Sequence, residues 1–552
     1  MEGYFCMEVS YNLSDKISPA LALAMDSQSD LYTSEFTILF RYTGVFSDIE
    51  QAYQVRVLPL LNQFAIGTAT YEQILLLSGD SHILYLDIAH RMTYAQAVST
   101  KDKIASCFPM YKQTDRTLRG TGILAGIVDS GIDLYHPALI RDDGSSRILA
   151  YWNQFHTSAS TSLYGFGTVY DAKQINQEIK NPEKKIFQDP SGHGTAVASI
   201  LSALSPDVDI IAVASKPDTA GFLCGIDFIA RFAILKGKPL VINLSYGNNY
   251  GAHDGTSFTE LYIDALIKNG RFAIITGMGN EGNTARHKRI EGSFALEIEI
   301  ITGPGLANFN LQLWSNSNIS YHFQIKAPDG TDSPRYSSSD SGQFFTWKFK
   351  HTDLAIQIGQ SNPYNKKQEI FIQYTGTPVW EGSWYLEIIP DFNTFYQIDA
   401  WLPVAASTSA NVEFGVPSTE LTLTIPASAS SVISVGAYDT ALLALAPFSG
   451  KGSAMVQKPD ILAPGIHVMA ANAGGGYTTR SGTSFSVPFV TAAVANLMQW
   501  GIIEGNDPFL YGERTKTYLH AGAIPLPGSL IIPNASEGYG RLCANACIPK
   551  NL

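Results

Sequence analysis

Residues 122–131 read GILAGIVDSG, and this stretch decides the fold. An apolar run without polar interruption is typical of a parallel strand that is covered on both faces. The run ends at Asp129, and open α/β sheets present their functional groups at the carboxyl ends of such strands. The stretch therefore predicts a central parallel strand with an acidic side chain at its functional end.

The segments around this strand extend the same pattern. Residues 239–245 (PLVINLS) and 272–276 (FAIIT) are further apolar runs of strand length, and residues 196–204 place apolar side chains on one helical stripe. Strands that alternate with amphipathic helices imply right-handed crossovers and an open parallel sheet. The predicted fold class is therefore α/β, with helices on both faces of the sheet.

Between residues 288 and 418 the spacing of apolar residues changes to a period of two. The runs with this period are 294–300, 309–313, 321–325 and 384–388. Half-buried antiparallel strands of this kind indicate a β-sandwich or jelly roll. Because the α/β pattern resumes after Pro426, we interpret the stretch as an inserted all-β jelly-roll domain.

The rest of the chain divides around this insertion. Residues 1–96 have the pattern of a small α/β unit of their own, and residues 95–103 (AQAVSTKDK) have the composition of an exposed linker. The predicted organisation is an N-terminal unit (1–96), the first part of the α/β domain (97–287), the insertion (288–418) and the second part of the α/β domain (419–552).

Composition excludes several classes of function. The 552 residues carry a formal net charge of −12, whereas a nucleic-acid-binding surface is basic. No uninterrupted apolar run reaches the length of a membrane span, so neither nucleic acid nor membrane is an expected partner. Residues 1–10 (MEGYFCMEVS) lack the features of a secretory signal, and five cysteines suit a reducing compartment. Synthesis in the cytoplasm is therefore expected.

Three segments supply the residue types that activate a hydroxyl nucleophile. Such a hydroxyl needs a base, and the base needs a third group to fix its tautomer. Asp129 could be the orienting carboxylate, His193 the base and Ser484 the nucleophile. In a fourth segment, 279–282 (GNEG), Asn280 could donate a side-chain N–H to the oxyanion.

Each of these residues also has a structural interpretation. An aspartate after a strand is commonly a turn or cap residue, a histidine between glycines is often structural, and Gly-Thr-Ser is an ordinary start to a helix. Pro488 is expected within the first turn of the helix that follows Ser484, where an amide hydrogen is dispensable. The case for a catalytic site therefore depends on the four segments occurring together.

In this chain order the four segments resemble the motifs of the subtilase family of serine proteases. The matching stretches are DSGID at 129–133, GHGTAVA at 192–198, GNEG at 279–282, KPDILAPG at 458–465 and GTSFSVP at 482–488. The resemblance implies an endopeptidase with an acyl-enzyme intermediate. Its triad would be Asp129, His193 and Ser484, and its oxyanion donor would be Asn280.

The same resemblance implies which residues bind substrate. Those that would pair with substrate backbone as an added strand are Ser245, Tyr246 and Gly247. Gly277 and Gly279 would back the first specificity pocket, with Met278 between them in place of the family's usual small residue. No organic cofactor is implied, and no acidic loop has calcium-ligand spacing, so no metal is predicted.

Nearly the whole chain resembles the Csp-type subtilases of clostridial and related spore-forming bacteria. The likeness includes the N-terminal unit, the insertion and residues 500–512 (WGIIEGNDPFLYG). In that group the N-terminal unit is a prodomain that cuts itself off and stays bound, and the enzymes activate a spore cortex-lytic hydrolase. The resemblance therefore implies a protein substrate, a retained prodomain and storage in the spore. We place the self-cut after Gln96.

Three other functions fit the same sequence. The first is a regulatory pseudoenzyme or sensor whose intact triad is occluded by its own prodomain. The second is a binding or adhesion protein whose jelly roll recognises carbohydrate, and the third is a general degradative protease. Sandwich folds serve many functions, so the fold alone does not decide the role of the insertion. We interpret it as a clamp that packs against the protease and prodomain in preference to a separate binding module, and the resemblance to the Csp-type group also favours the clamp.

Overall fold

The computed structural model describes residues 14–26, 34–94, 118–156, 162–181, 188–391 and 394–549. The chain divides into two compact units. The first unit takes Met1–His90, Asn248–Phe258 and Thr284–Thr422, and the second takes Arg91–Gly247, Thr259–Asn283 and Leu423–Leu552. The four-part organisation stays a prediction.

Helices and strands are numbered along the described chain. The helices are α1 (Pro19–Asp26), α2 (Phe46–Tyr53), α3 (Tyr71–Gly79), α4 (Ala172–Lys180), α5 (His193–Leu204), α6 (Thr219–Lys236), α7 (Phe258–Asn269), α8 (Thr483–Met498) and α9 (Glu513–Gly522). The first strands are β1 (Glu35–Tyr42), β2 (Arg56–Pro59), β3 (Phe64–Thr70), β4 (Ile83–Ile88), β5 (Thr93–Tyr94), β6 (Leu124–Asp129), β7 (Ile148–Asn153), β8 (Thr168–Asp171), β9 (Asp209–Ala214), β10 (Leu240–Leu244), β11 (Tyr246–Gly247) and β12 (Phe272–Gly277). The next are β13 (His287–Gly292), β14 (Leu296–Thr302), β15 (Asn308–Asn316), β16 (Tyr321–Lys326), β17 (Tyr336–Ser337), β18 (Phe344–Lys348), β19 (Asp353–Ser361), β20 (Lys367–Thr375), β21 (Gly382–Pro390), β22 (Tyr396–Trp401) and β23 (Val412–Phe414). The last are β24 (Ile433–Asp439), β25 (Ala444–Leu445), β26 (Ile461–Pro464), β27 (Val468–Ala471) and β28 (Tyr477–Arg480).

The second unit is built on one large sheet with the order β25-β24-β12-β10-β6-β9-β7-β8, to which β26 adds beside β24. Its inner pairs are parallel, whereas β8 and β25 pair antiparallel at the ends of this order. The chain fills one side of β6 with β7 and β9, and then the other side with β10, β12 and β24. The strand order therefore reverses between β6 and β10, which is where open α/β sheets bind ligands.

Helices cover both faces of this sheet, as the sequence predicted. Ala125 and Ile127 of β6 share one apolar core with α5 and α8. On the opposite face Gly126 meets α6, where a Cβ at this glycine would lie 2.5 Å from Cγ2 of Ile229. Because side chains alternate along a strand, these contacts place α6 on the other side from α5 and α8. The α/β fold class is confirmed.

Helix α8 is the core helix of the second unit. All 16 of its residues are buried. The stretch Thr483–Ile503 is long and apolar enough to cross a membrane, and 83% of its most apolar window is buried inside the protein. Its apolar composition is therefore explained by its position beneath the sheet.

The first unit contains a small α/β part and a larger all-β part. The small part has an antiparallel sheet in the order β2-β3-β1-β4, packed with α1 to α3 around residues such as Leu21, Ile38 and Leu77. The larger part has two antiparallel sheets, β13-β22-β15-β20-β19-β18 and β17-β16-β21-β14-β23. Leu313 of the first sheet and Phe323 of the second belong to one shared core.

The period of two in the insertion begins later than the sequence indicated. Ile298 and Ile300 are buried as expected, but Phe294 and Leu296 are exposed, at 72% and 40%. Phe294 precedes β14, and the first two residues of that strand are exposed. Within the same unit α1 packs on the insertion, where Leu23 joins Phe371 in a small apolar cluster. The added all-β sheets are confirmed, and their jelly-roll class stays a prediction.

Candidate active site

The three predicted triad residues lie at the ends of elements in the second unit. Asp129 is the last residue of β6, His193 the first of α5 and Ser484 the second of α8. All three side chains are fully buried. They therefore lie at the carboxyl edge of the sheet, beside the reversal of strand order.

Asp129 and His193 form a hydrogen-bonded pair. The Nδ1 atom of His193 lies 2.7 Å from Oδ1 of Asp129, which also accepts the Ser130 backbone N–H at 2.7 Å. A carboxylate at Nδ1 holds the proton on that nitrogen and leaves Nε2 as the basic atom. The Nε2 atom is buried and has no hydrogen-bond partner. The pair is therefore set to receive a proton at Nε2.

Ser484 is next to this pair but is bonded elsewhere. Its hydroxyl donates to the backbone carbonyl of Ser245 at 3.2 Å. The ring of Phe485, the following residue, lies 5.3 Å from the ring of His193 between centroids. The hydrogen bond expected between Ser484 and His193 is not formed in this structure. Rotation of the Ser484 side chain to another χ1 rotamer is the movement that would redirect its hydroxyl.

Pro488 has a different position and effect from those expected. It is the sixth residue of α8, beyond the first turn. Proline cannot donate to the carbonyl four residues before it, which is that of Ser484. That carbonyl instead accepts the hydroxyl of Ser245 at 3.3 Å. Ser245 therefore contacts Ser484 both as donor and as acceptor.

Asn280 has its amide orientation fixed by Thr483. The Oδ1 atom of Asn280 accepts the backbone N–H of Thr483 at 3.1 Å and its hydroxyl at 3.2 Å. Its Nδ2 is buried and has no hydrogen-bond partner. An unpaired N–H donor therefore lies beside the start of α8, where Ser484 follows Thr483.

Asp189 is a site residue that the sequence analysis missed. Its carboxylate accepts the Ser130 hydroxyl at 2.7 Å, the Gly192 N–H at 3.0 Å and the Thr195 hydroxyl at 2.8 Å. These bonds tie the loop after Asp129 to the loop that carries His193. An acidic residue four positions before a histidine at a helix start was the available signal for such a brace.

The predicted substrate edge is occupied by the chain itself. Strand β5 pairs antiparallel with β11, with Tyr94 opposite Tyr246 and Thr93 opposite Gly247. On the other side of β5, the N–H of Met92 donates to the carbonyl of Pro217 at 2.9 Å. Residues 91–94 therefore lie between two segments of the second unit as an added strand.

Tyr94 covers the imidazole ring of His193. Its ring stacks on His193 at 4.6 Å between centroids with 29° between planes. The Tyr246 hydroxyl donates to the Tyr94 hydroxyl at 2.8 Å. Burial, with the nearby charge of Asp129, raises the pKa of Tyr94, and burial also raises the pKa of Tyr246. Both hydroxyls therefore stay protonated at neutral pH. Neither the ring stack nor this hydroxyl pair has a signal in the sequence.

The remaining predicted residues are those of the first specificity pocket and the residue before the self-cut. Gly277 ends β12, and Met278 and Gly279 follow it, with Met278 fully buried and its carbonyl accepting the Thr424 N–H at 3.0 Å. Gln96 lies outside the described residues, of which Tyr94 is the last before the gap.

In residues 14–26, 34–94, 118–156, 162–181, 188–391 and 394–549, no group of three or more His, Cys, Asp or Glu side chains could hold a metal ion. Cys543 and Cys547 are free thiols. Burial, and to a smaller degree Cys543, raises the pKa of Cys547 to about 12.

A family model supports the classification that this fold and site suggest. The Subtilase family model matches residues 120–353 and 400–506. Because these ranges cover more than half of the chain, the protein belongs to the Subtilase family.

Two known proteases are similar to this chain. The CspB protease of Clostridium perfringens is similar in structure, with a TM-score of 0.73 and 29% identity over 80% of this chain and 95% of that one. The subtilisin-like protease SBT3.9 of Arabidopsis thaliana is 22% identical over 431 residues, which are 68% of this chain and 55% of that protein. The chain thus spans about half the length of the curated relative it matches.

Proposed function

We propose that this chain is a serine endopeptidase that cuts off its own N-terminal segment and hydrolyses peptide bonds through an acyl-enzyme on Ser484. The observation that carries the proposal is the state of His193. Its Nδ1 is held by Asp129 at 2.7 Å, and its buried Nε2 is unpaired beside the helix that bears Ser484. A buried polar atom without a hydrogen-bond partner lowers the stability of the fold. Such a group needs an explanation, and a catalytic role is one.

The chemistry follows from these groups. His193 Nε2 takes the proton as Ser484 Oγ bonds to the peptide carbonyl carbon, and Asp129 stabilises the resulting imidazolium. The unpaired Nδ2 of Asn280 and the backbone N–H of Ser484, which is in the first turn of α8, stabilise the oxyanion. His193 then gives the proton to the leaving amine as the C–N bond breaks. Water hydrolyses the ester and restores the serine hydroxyl.

The first substrate is the N-terminal segment. Thr93 and Tyr94 already pair with Gly247 and Tyr246 as an added strand, which is how a substrate backbone is bound in an extended groove. The self-cut is expected within a few residues of this strand, near the Gln96 that the sequence analysis named. The segment remains bound after cleavage and competes with other substrates.

The later substrate is a protein zymogen that is cut at a limited number of sites. The likeness to the CspB protease, at 29% identity over most of both chains, supports this narrower proposal. A spore cortex-lytic hydrolase is the kind of zymogen proposed. Broad digestion of an unfolded protein such as casein would instead favour a degradative protease.

A regulatory role is the second candidate, and a specific observation favours it. The Ser484 hydroxyl is bonded to Ser245, and the Tyr94 ring lies on His193. Both contacts belong to an occluded site. Self-cleavage without turnover of any added protein, even after removal of the N-terminal segment, would select this role.

Self-cleavage of the intact chain tests the proposal. Intact mass spectrometry compares the unaltered chain with Ser484→Ala, and Ser486→Ala is the matched control. Ser486 is on the same helix, two residues further on, and donates to backbone carbonyls of residues 463 and 464. The unaltered chain and the control are expected to split near residue 96, and Ser484→Ala is expected to stay whole.

A further inference from the structure

The residue that a substrate places before the cut can be located from the strand pairing. Tyr94 lies opposite Tyr246 in the antiparallel register, so a substrate chain that extends one residue further meets Ser245. The carbonyl of Ser245 accepts the hydroxyl of Ser484. The substrate residue opposite Ser245 is therefore the one whose carbonyl is presented to the nucleophile.

The side chain of that residue points away from His193. Successive side chains of an extended strand alternate between its two sides, and the preceding position, that of Tyr94, directs its ring onto His193. The next side chain must enter the slot on the other side. Two segments border this slot, because β10 and β12 are parallel neighbours with Leu244 opposite Thr276. One segment leads to Gly247 and the other to Gly279.

Both borders are glycines, but Thr424 fills the space between them. A Cβ on Gly247 would lie 3.0 Å from Cβ of Thr424, and a Cβ on Gly279 would lie 2.6 Å from its Cγ2. Thr424 is only 4% exposed. The two glycines therefore leave room that the threonine side chain takes up.

Thr424 is held in this position. Its N–H donates to the carbonyl of Met278 at 3.0 Å, and its carbonyl accepts the N–H of Ala427 at 2.8 Å. A β-branched side chain has few rotamers, so the methyl group and hydroxyl have little freedom to swing aside. The slot is thus closed by a fixed side chain and not by a mobile one.

We propose that Thr424 is a specificity-determining residue that closes the first specificity pocket, so that this chain cleaves after small side chains such as those of Gly, Ala and Ser. The inference rests on the proposed endopeptidase function. It explains why the two positions that border the slot are glycines, since any side chain there would collide with Thr424. In the sequence the residue after Tyr94 is Ala95, a small one.

Self-cleavage of the full chain is the test. Mass spectrometry first maps the cut in the unaltered chain, where a small residue such as Ala95 is expected before it. A cut after Gln96 or another large residue would overturn the inference. A cut after Ala95 and a cut after Gln96 give products that differ by one glutamine residue, so the two are readily distinguished.

The residue found before the cut is then changed to Phe. Cleavage at that bond is expected to slow about 100-fold, because a closed pocket discriminates strongly by size. Thr424→Gly is expected to restore the rate of the Phe chain to within about tenfold of the unaltered rate. Thr424→Val is the matched control, since it keeps the slot filled, and it is expected to restore nothing.

The outcomes separate this inference from the proposed function. Rapid cleavage of the Phe chain at the same bond overturns the inference alone. If Thr424→Gly does not fold, Thr424→Ala takes its place in the test. A folded variant that cleaves the native sequence but does not rescue the Phe chain also overturns the inference. If the unaltered chain does not cleave itself, the proposed function and this inference fall together.

Discussion

Removing the unpaired donor of Asn280 is expected to slow self-cleavage by about 100- to 1,000-fold. In the resting structure Nδ2 of Asn280 is buried without a partner, so the donor stabilises nothing in the ground state. During attack it gains one charge-assisted hydrogen bond to the oxyanion in a water-poor site. Such a bond contributes on the order of 3–4 kcal/mol to the transition state alone.

Two variants separate this effect from a loss of structure. Asn280→Ala also removes the acceptor of the Thr483 N–H and hydroxyl, which costs about 1 kcal/mol of stability for each lost bond. Asn280→Asp keeps an oxygen for Thr483 but replaces the donor with a negative oxygen. Asn280→Asp is therefore expected to be at least as slow as Asn280→Ala, although its contacts with Thr483 are better preserved.

The assay follows the cleaved fraction over time after refolding, by intact mass, with thermal unfolding of each variant as the control for folding. A folded Asn280→Ala chain that cleaves within about threefold of the unaltered rate would refute the role of this donor, because the expected loss is at least tenfold larger.

Two further predictions follow from contacts outside the oxyanion site. Tyr246→Phe removes the 2.8 Å hydrogen bond to the Tyr94 hydroxyl but keeps the ring; the cleaved N-terminal segment should dissociate about fivefold faster, for about 1 kcal/mol lost, and an unchanged dissociation rate would contradict this. In the first unit, burial alone would raise the pKa of Asp399, but hydrogen bonds from His287 and Arg289 lower it to about 2. Its folded pKa is below the unfolded value, so Asp399 adds stability above about pH 4, roughly 2 kcal/mol, that is lost as the pH falls towards 2. Urea unfolding at pH 5 and pH 2.5 should show this loss in the unaltered chain and a smaller loss in Asp399→Asn, and equal losses would refute it.

The parts of the fold that the sequence predicted are those set by local patterns. The apolar run at 122–131 predicted β6 and the buried Asp129 at its end, because a continuous apolar strand needs cover on both faces. The period of two predicted the inserted sheets, although the exposure of Phe294 shows that such a period does not mark where a strand begins. The motifs at 129–133 and 192–198 predicted that Asp129 and His193 act together, and the two side chains are hydrogen-bonded.

The parts that the sequence could not predict depend on residues far apart along the chain. The hydroxyl of Ser484 bonds to a carbonyl 239 positions away, and this bond depends on how α8 packs beneath β10. The ring of Tyr94 on His193 depends on an added strand whose partner is a two-residue edge. The closure of the slot by Thr424 depends on two glycines that tertiary packing alone brings together.

The central claim is that Ser484 is the nucleophile that cuts this chain's own backbone. The most direct measurement is the intact mass of freshly purified protein, taken in parallel for the unaltered chain, Ser484→Ala and Ser486→Ala. We expect two fragments, with the cut near residue 96, from the first and third, and a single undivided chain from the second. Equal cleavage of Ser484→Ala would show that another protease makes the cut, and an undivided unaltered chain that is folded would contradict the claim in favour of a regulatory protein.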